Sequence, residues 1–305
     1  MNTNLNKPSL VILAAGMGSR YGGLKQIDTV GNNGESIIDF TIYDAIKAGF
    51  GKVYLIIRKE HEQAFKDNLV DKVRTKVPVE FIYQDLNDLP KGYTVPEGRE
   101  KPWGTTHALL ACKNQVKENF MICNADDFYG RGSFETMYDF LCNKANGPHY
   151  GMVGYPLVNT LTDSGSVTRA VCETKDNKLT QIVEIQKIIK QDGKACIEEN
   201  EEIKSVDPTK LSSMNFWGFT PLIFDQCEGI FANFLHDSLE GNPMKCEHVI
   251  PTAVGDLVKA GACDIEVMGT DEKWFGVTYK EDKPDVVAKI QAYKDQGLYP
   301  FDLWR

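Results

Sequence analysis

The amino-acid sequence predicts an α/β fold with a mixed, mostly parallel β-sheet flanked by helices. Short apolar runs typical of buried strands alternate with helical periodicity through the first half of the 305-residue chain. Strands that alternate with helices form parallel sheets with helices on both faces. The second half instead contains closely spaced strand signals separated by turn residues, which predicts hairpins. In open α/β sheets ligands bind beyond the carboxyl ends of the strands.

The first half supplies four predicted strands and three predicted helices. The strands are expected over 10–15, 52–57, 79–83 and 120–124, and the helices over 36–48, 60–70 and 105–115. Ser36 with Asp39 three residues later resembles a capping box, and Gly49 suits the end of the first helix.

The second half is expected to interweave with the first sheet. Two hairpins are predicted, with turns at Asp176-Asn177 and Asp192-Gly193. Further elements are expected over 211–220 (strand), 221–235 and 248–260 (helices) and 263–267 (strand). We expect a single domain over 1–305, divided into halves over 8–150 and 151–280 and a C-terminal helix and tail over 281–305.

Composition excludes several classes of protein. A net charge of −9, from 34 Lys+Arg and 43 Asp+Glu, makes non-specific binding of nucleic acid or of an anionic membrane unfavourable. No apolar run approaches the ~18 residues of a membrane span, and the N-terminal segment does not resemble a signal peptide. The eight cysteines are spread singly, so we expect reduced thiols and a cytoplasmic protein. The pair Cys246 and His248 does not indicate a metal site.

The most informative segment is 13–25, in which the end of the first predicted strand leads into a glycine-rich turn. The dinucleotide fingerprint G-x-G-x-x-G fails at Tyr21, and the P-loop sequence G-K-[ST] is absent. The remaining pattern, G-x-G-S-R-x-x-x-x-K, places Arg20 and Lys25 on one glycine loop. Glycines let backbone N–H groups approach a phosphate, and the two cations add donors. The turn therefore predicts a phosphate site.

This segment, LAAGMGSRYGGLKQ, resembles the signature of the sugar-1-phosphate nucleotidyltransferases (NDP-sugar pyrophosphorylases), such as the glucose-1-phosphate thymidylyl- and uridylyltransferases. The resemblance implies a Rossmann-like nucleotide-binding sheet over 8–150, a smaller β-rich sugar-phosphate-binding lobe over 151–280, and Mg²⁺ as cofactor. It also assigns Arg20 and Lys25 to the α-phosphate and the leaving pyrophosphate. The loop residues implied to bind the nucleotide are Ala14, Ala15, Gly16, Gly18 and Ser19.

Other motifs of the family follow in order along the chain. The resemblance implies that Gln84 reads the base, that Gly104 and Thr105 lie against it, and that Asp126 holds Mg²⁺. Thr105 is also a candidate N-cap of the following helix, and for His107 we expect a packing role rather than a catalytic one. The long stretch over 84–103 is expected to be a specificity loop or a lid.

The implied sugar-phosphate contacts are Gly165, Glu184, Lys187 and Asn215. Lys187 lies one residue later than the family pattern requires. Gly276 stands where the family has a second metal-binding carboxylate, and Asp271 is the nearest substitute.

The expected reaction is transfer of NMP from an NTP to a sugar 1-phosphate, which gives an NDP-sugar and pyrophosphate. Three alternatives remain open: a cytidylyltransferase acting on a non-sugar phosphate such as phosphocholine, a nucleotide-binding regulator without turnover, and an NAD-dependent oxidoreductase. The failed dinucleotide fingerprint weighs against the last. The base, the sugar and the oligomeric state are not identified by the sequence.

Overall fold

Apolar segments of the first half form the parallel part of the sheet. The computed structural model describes residues 7–16, 24–162, 165–199, 202–207, 209–277 and 280–305. The parallel strands are β1 (Ser9–Leu13), β2 (Lys52–Ile57), β3 (Val79–Tyr83) and β4 (Phe120–Asn124), in the order β3-β2-β1-β4. Leu13, the last residue of β1, pairs with Ile56 and with Asn124. The carboxyl ends of these strands therefore meet at one edge, and the four predicted strands are confirmed.

Helices cover both faces of the sheet. Their bounds within the described residues are α1 (Ile37–Ala48), α2 (Glu62–Phe65), α3 (Asp71–Val73), α4 (Thr105–Ala111), α5 (Arg131–Asn143), α6 (Leu222–Ser238), α7 (Ile250–Lys259) and α8 (Lys283–Asp295). Residues of α4, α6 and α7 pack on one face of the sheet, and residues of α1 and α5 pack on the other. The helix predicted over 60–70 is a succession of 3-10, α and π turns over 59–73.

The predicted ends of α1 are confirmed. The backbone N–H and the hydroxyl of Ser36 both donate to Asp39 Oδ2, each at 2.7 Å. The helix ends at Gly49, whose φ of +116° lies in the left-handed region that residues with a side chain rarely adopt.

The second half extends the sheet with mainly antiparallel strands. In chain order the remaining strands are β5 (Asp127–Phe128), β6 (His149–Pro156), β7 (Val167–Lys175), β8 (Lys178–Gln191), β9 (Lys194–Glu199), β10 (Glu202–Ser205), β11 (Leu211–Phe219), β12 (Asp264–Gly269) and β13 (Phe275–Gly276). β5 and β13 form a separate two-stranded antiparallel sheet, and the others join the main sheet. The main sheet has eleven strands among the described residues, ordered β10-β9-β8-β12-β6-β11-β4-β1-β2-β3, with β7 against β8 and β11. Within the described part of the chain, parallel pairing is confined to β3-β2-β1-β4 and to β6 with β12. The mixed α/β class is confirmed. The mostly parallel pairing that the sequence predicts holds for the first half, whereas among the described residues seven of the eleven strand pairs of the main sheet are antiparallel.

Both predicted hairpin turns are present. Asp176 and Asn177 have φ +52° and +60°, and the second turn has Asp192 at φ +50° and Gly193 at +73°. Consecutive residues of positive φ match the twist of two antiparallel strands, which explains why short polar residues and glycine occupy these turns.

The C-terminal helix and tail pack onto the start of α1. Lys294 of α8 forms an ion pair with Glu35 at 2.6 Å, and each side chain is only 2% exposed. Trp304 Nε1 donates to Asp39 Oδ1 at 2.8 Å. Among the described residues, no helix combines the length and the apolar character that crossing a membrane requires.

Candidate functional site

The segments that leave β1, β3 and β4 are held together by backbone hydrogen bonds beyond the strand ends. Ala14 N–H donates to Ile56 O at 2.9 Å, Ala125 N–H donates to Leu13 O at 3.2 Å, and Gln84 N–H donates to Ile57 O at 3.0 Å. These bonds continue the parallel ladders by one residue and fix where the following side chains leave the sheet.

A cavity of about 390 Å³ lies at this edge of the sheet. Its lining joins five segments that are far apart in the sequence: Leu13, Ala15, Gly16, Gln26, Gln84, Lys101, Pro102, Gly104, Thr105, Ala108, Asn124, Asp126, Glu247 and Val249. Six of the residues assigned by resemblance line it: Ala15, Gly16, Gln84, Gly104, Thr105 and Asp126. Ala14 is instead fully buried in the core beneath the cavity.

Part of the glycine loop lies outside the described residues. Gly18, Ser19 and Arg20 belong to that part. Lys25 is described only through its backbone, which lies in the 3-10 turn Lys25–Ile27.

Gly104 is a position where a side chain does not fit. Its φ is +97°, and a Cβ would lie 2.3 Å from His248 O. The backbone of residues 103–106 pairs with His248, which donates to Trp103 O at 2.9 Å and accepts from Thr106 N–H at 3.0 Å. Glycine is therefore required by the close approach of two backbones.

Thr105 caps a helix other than its own. Its hydroxyl oxygen accepts a hydrogen bond from Ile250 N–H, the first residue of α7, at 2.9 Å. The N-cap of α4 is Gly104, without a side-chain bond, so the prediction that Thr105 caps the following helix is wrong. The partner lies 145 residues away.

Gln84 and His107 form a hydrogen-bonded pair in the cavity wall. Gln84 Nε2 donates to Gly104 O at 3.1 Å and lies 3.2 Å from His107 Nδ1. The His107 ring is buried and stacks on Phe231, with centroids 5.4 Å apart. Burial lowers the pKa of His107 below its usual value. The expected packing role of His107 is confirmed.

The carboxylates that follow β4 differ in environment. Asp126 is half-buried and faces the cavity, whereas Asp127 is buried and accepts from Asn124 Nδ2 at 2.8 Å. Burial, and then the nearby charge of Asp126, raises the pKa of Asp127 to about 7.

Gly276 has no room for the carboxylate that the family places there. It pairs with Asp127 between β13 and β5, and a Cβ on Gly276 would lie 2.6 Å from Asp127 Oδ1. The Asp127 carboxylate thus fills the space of the missing side chain. Asp271 is exposed and does not line the cavity.

The sequence analysis missed two uncharged polar residues of the cavity, Gln26 and Asn124, and two charged ones, Lys101 and Glu247. Gln26 is 3% exposed and donates through Nε2 to Gly16 O at 2.8 Å, and among the described residues its buried Oε1 has no partner. Asn124 lines the cavity and accepts from Asn215 Nδ2 at 2.7 Å. Gln26 directly follows Lys25 of the glycine-loop motif, and Asn124 directly precedes the turn that contains Asp126. Their position beside these motifs is the feature of the sequence that could have identified them.

Of the four implied sugar-phosphate contacts, the structure brings Asn215 to the cavity edge. Asn215 has φ +61° at an irregularity in β11, accepts from Trp217 Nε1 at 3.0 Å, and contacts Asn124. Gly165, Glu184 and Lys187 are exposed and do not line the cavity. The register places Glu184 opposite Ala170 in the hairpin.

The chain is similar to known proteins along most of its length. It is 22% identical over 291 residues to the UTP–glucose-1-phosphate uridylyltransferase AglF of Haloferax volcanii, covering 94% of this chain and 98% of that one. Among solved structures, the inositol-1-phosphate CTP transferase from T. maritima matches with a TM-score of 0.60 at 10% identity, over 93% of this chain and 96% of the other. A UDP-glucose pyrophosphorylase complexed with UDP-glucose matches with a TM-score of 0.59 at 14% identity, over 94% and 99%.

These structural matches show the fold. A family model described as Nucleotidyl transferase matches residues 9–184, which is more than half of the chain. The chain therefore belongs to the nucleotidyl transferase family and is a nucleotidyltransferase enzyme.

Proposed function

We propose that this enzyme transfers NMP from an NTP to a sugar 1-phosphate, with the nucleotide bound in the cavity at the carboxyl ends of β1, β3 and β4. The observation that carries the proposal is the convergence of Gly16, Gln84, Gly104 and Asp126 on one cavity. The similarity to a UTP–glucose-1-phosphate uridylyltransferase makes UTP and glucose 1-phosphate the first pair to test.

The reaction needs little acid–base chemistry. A sugar phosphate is mostly dianionic at neutral pH, because its second pKa is about 6. One of its oxygens attacks the α-phosphorus in line and forms a new P–O bond. The α–β phosphoanhydride bond breaks, and pyrophosphate leaves with the electron pair. Catalysis then depends on positioning and on neutralisation of charge.

The residues at the cavity fit a magnesium ion. Mg²⁺ prefers oxygen ligands and is commonly bound by one or two carboxylates together with substrate phosphates and water. Asp126 offers one such carboxylate toward the cavity, and a single carboxylate suffices when a triphosphate supplies the other oxygens. Asp126 would hold the ion, which neutralises phosphate charge when bound.

The remaining assignments rest on the resemblance. Arg20, Lys25 and the amides of the glycine loop, including Gly18 and Ser19, would hold the triphosphate. Gln84, Gly104 and Thr105 would contact the base. Asn215 would orient the sugar from the cavity edge. Gly165, Glu184 and Lys187 lie outside the cavity lining, so they would contact only a part of the sugar phosphate that extends beyond the cavity.

The test is a matrix of UTP, dTTP, CTP, ATP and GTP against sugar 1-phosphates, inositol 1-phosphate and phosphocholine, read by pyrophosphate release with Mg²⁺. We expect turnover with at least one sugar 1-phosphate. Asp126→Asn should lower the rate at least 100-fold, whereas Asp139→Asn, an exposed aspartate on α5, should match the unmodified enzyme. Turnover with phosphocholine alone would show that the acceptor is a non-sugar phosphate. NTP binding without product across the matrix would refute the proposed activity.

A further inference from the structure

The hydrogen bond from His107 to Asp88 determines which nitrogen of the ring carries the hydrogen. His107 Nε2 lies 2.8 Å from the backbone oxygen of Asp88. A carbonyl oxygen can only accept, so Nε2 carries the hydrogen. The lowered pKa of the buried ring keeps it neutral at neutral pH, which leaves Nδ1 as an acceptor.

The orientation of the Gln84 amide follows from these partners. Gln84 Nε2 lies 3.1 Å from Gly104 O and 3.2 Å from His107 Nδ1, and both of those atoms accept. The two hydrogens of the amide are therefore used within the wall. A rotated amide would place its oxygen against two acceptors, which is unfavourable. Gln84 lines the cavity, and its side-chain oxygen is consequently the atom of the amide that can accept a hydrogen bond from a ligand there.

An acceptor at this position distinguishes between pyrimidines. Uracil and thymine carry an N–H donor at N3, in the middle of their polar edge, whereas cytosine carries an unshared electron pair there. Facing Gln84, cytosine would bring two acceptors together or would have to shift along the wall. Sites that hydrogen-bond a polar group discriminate strongly against analogues that leave the partner unsatisfied.

We propose that His107 is a positioning residue that holds the Gln84 amide with its oxygen toward the cavity, so that the enzyme selects nucleotides with an N3–H base, uracil or thymine, over cytidine nucleotides. This inference rests on the proposed function, because it assumes that the cavity binds the base. It extends that proposal from the reaction to the class of nucleotide, and it gives His107 a part in specificity in addition to its packing.

His107→Phe tests the proposal, because phenylalanine retains a ring against Phe231 and removes the Nδ1 acceptor. The measurement is kcat and KM for UTP and for CTP with glucose 1-phosphate. For the unmodified enzyme we expect kcat/KM to favour UTP at least 10-fold. In His107→Phe, the KM for UTP should rise about 10-fold with kcat changed less than threefold. The UTP-to-CTP ratio should fall at least threefold, because Gly104 O alone then opposes rotation of the Gln84 amide.

His248→Phe is the matched control. His248 is also a buried histidine beside the cavity, and its Nδ1 contacts Thr106 Oγ1 at 3.0 Å rather than Gln84. We expect this variant to keep the UTP-to-CTP ratio. If His107→Phe does not fold, Gln84→Leu tests the acceptor on which the inference depends, since it removes the Gln84 oxygen and leaves the His107 ring in place.

The outcomes separate the two proposals. An unmodified enzyme that releases no pyrophosphate with any NTP refutes the proposed function. An active enzyme that prefers CTP, or a His107→Phe variant (Gln84→Leu in its place) whose UTP-to-CTP ratio stays within twofold of the unmodified value, overturns the inference about His107 and leaves the activity intact.

Discussion

Replacing Gly104 by alanine perturbs the wall of the cavity in a way that can be estimated from the structure. Gly104 has φ +97° and ψ −178°, a region that is essentially restricted to glycine and costs other residues about 1–3 kcal/mol. The added Cβ would also lie 2.3 Å from His248 O, so the two segments must separate. Separation breaks the hydrogen bonds of His248 with Trp103 and Thr106, each worth about 0.5–1.5 kcal/mol. We expect Gly104→Ala to lower the free energy of unfolding by about 2–6 kcal/mol.

Gly92→Ala is the matched control, because Gly92 has φ +98° and, apart from its chain neighbours, no described residue has an atom within 4 Å of an added Cβ. It should show a cost of backbone strain alone, about 1–3 kcal/mol. Urea denaturation measures both variants, and nucleotide KM values show whether the wall has moved. Equal stability of Gly104→Ala and Gly92→Ala, with the nucleotide KM of the unmodified enzyme retained, would contradict the close approach of the two backbones at Gly104.

Three further predictions concern carboxylates. Gly276→Asp should lower pyrophosphate release at least 10-fold rather than improve it, because its Cβ would meet Asp127 Oδ1 at 2.6 Å; normal or faster release would contradict the account. Lys294→Met should cost about 3–5 kcal/mol in urea denaturation because it leaves the Glu35 carboxylate buried and unpaired, and a loss below 1 kcal/mol would contradict this. Burial raises the pKa of Asp44 to about 7 from 3.8, so the folded state binds more protons and stability falls as pH rises from about 4 to 7. Asp44→Asn should reduce this dependence of stability on pH, measured by thermal melts across that range. An unchanged dependence would show that groups other than Asp44 cause it.

The elements that the sequence predicted well depend on local chemistry. The apolar run of β4 is bounded by polar residues, and its predicted limits are those of the structure, Phe120–Asn124. The hairpin turn at Asp176-Asn177 follows from the tolerance of these residues for positive φ. By contrast, the turns over 59–73 mix three hydrogen-bonding patterns, which apolar periodicity does not distinguish.

The parts of the site that escaped prediction depend on distant contacts. Glu247 and Val249 enter the cavity because His248 pairs with the backbone around Gly104, and no local pattern reveals that pairing. The same pairing explains why Thr105 caps α7. The segment over 84–103, expected to be a specificity loop or a lid, is anchored by the buried Arg99. The Arg99 guanidinium donates to Pro243 O at 2.6 Å and lies 3.5 Å from the Trp103 ring centroid.

The proposed reaction requires that the bond between the α- and β-phosphates of the NTP is broken and that the α-phosphate passes to a sugar phosphate. Two parallel reactions of the unmodified enzyme with glucose 1-phosphate, one with [α-³²P]UTP and one with [γ-³²P]UTP, test it most directly. We expect the α-label in the UDP-sugar and the γ-label in pyrophosphate. Recovery of the γ-label in inorganic phosphate or on the sugar, with no α-label in a UDP-sugar, would contradict it.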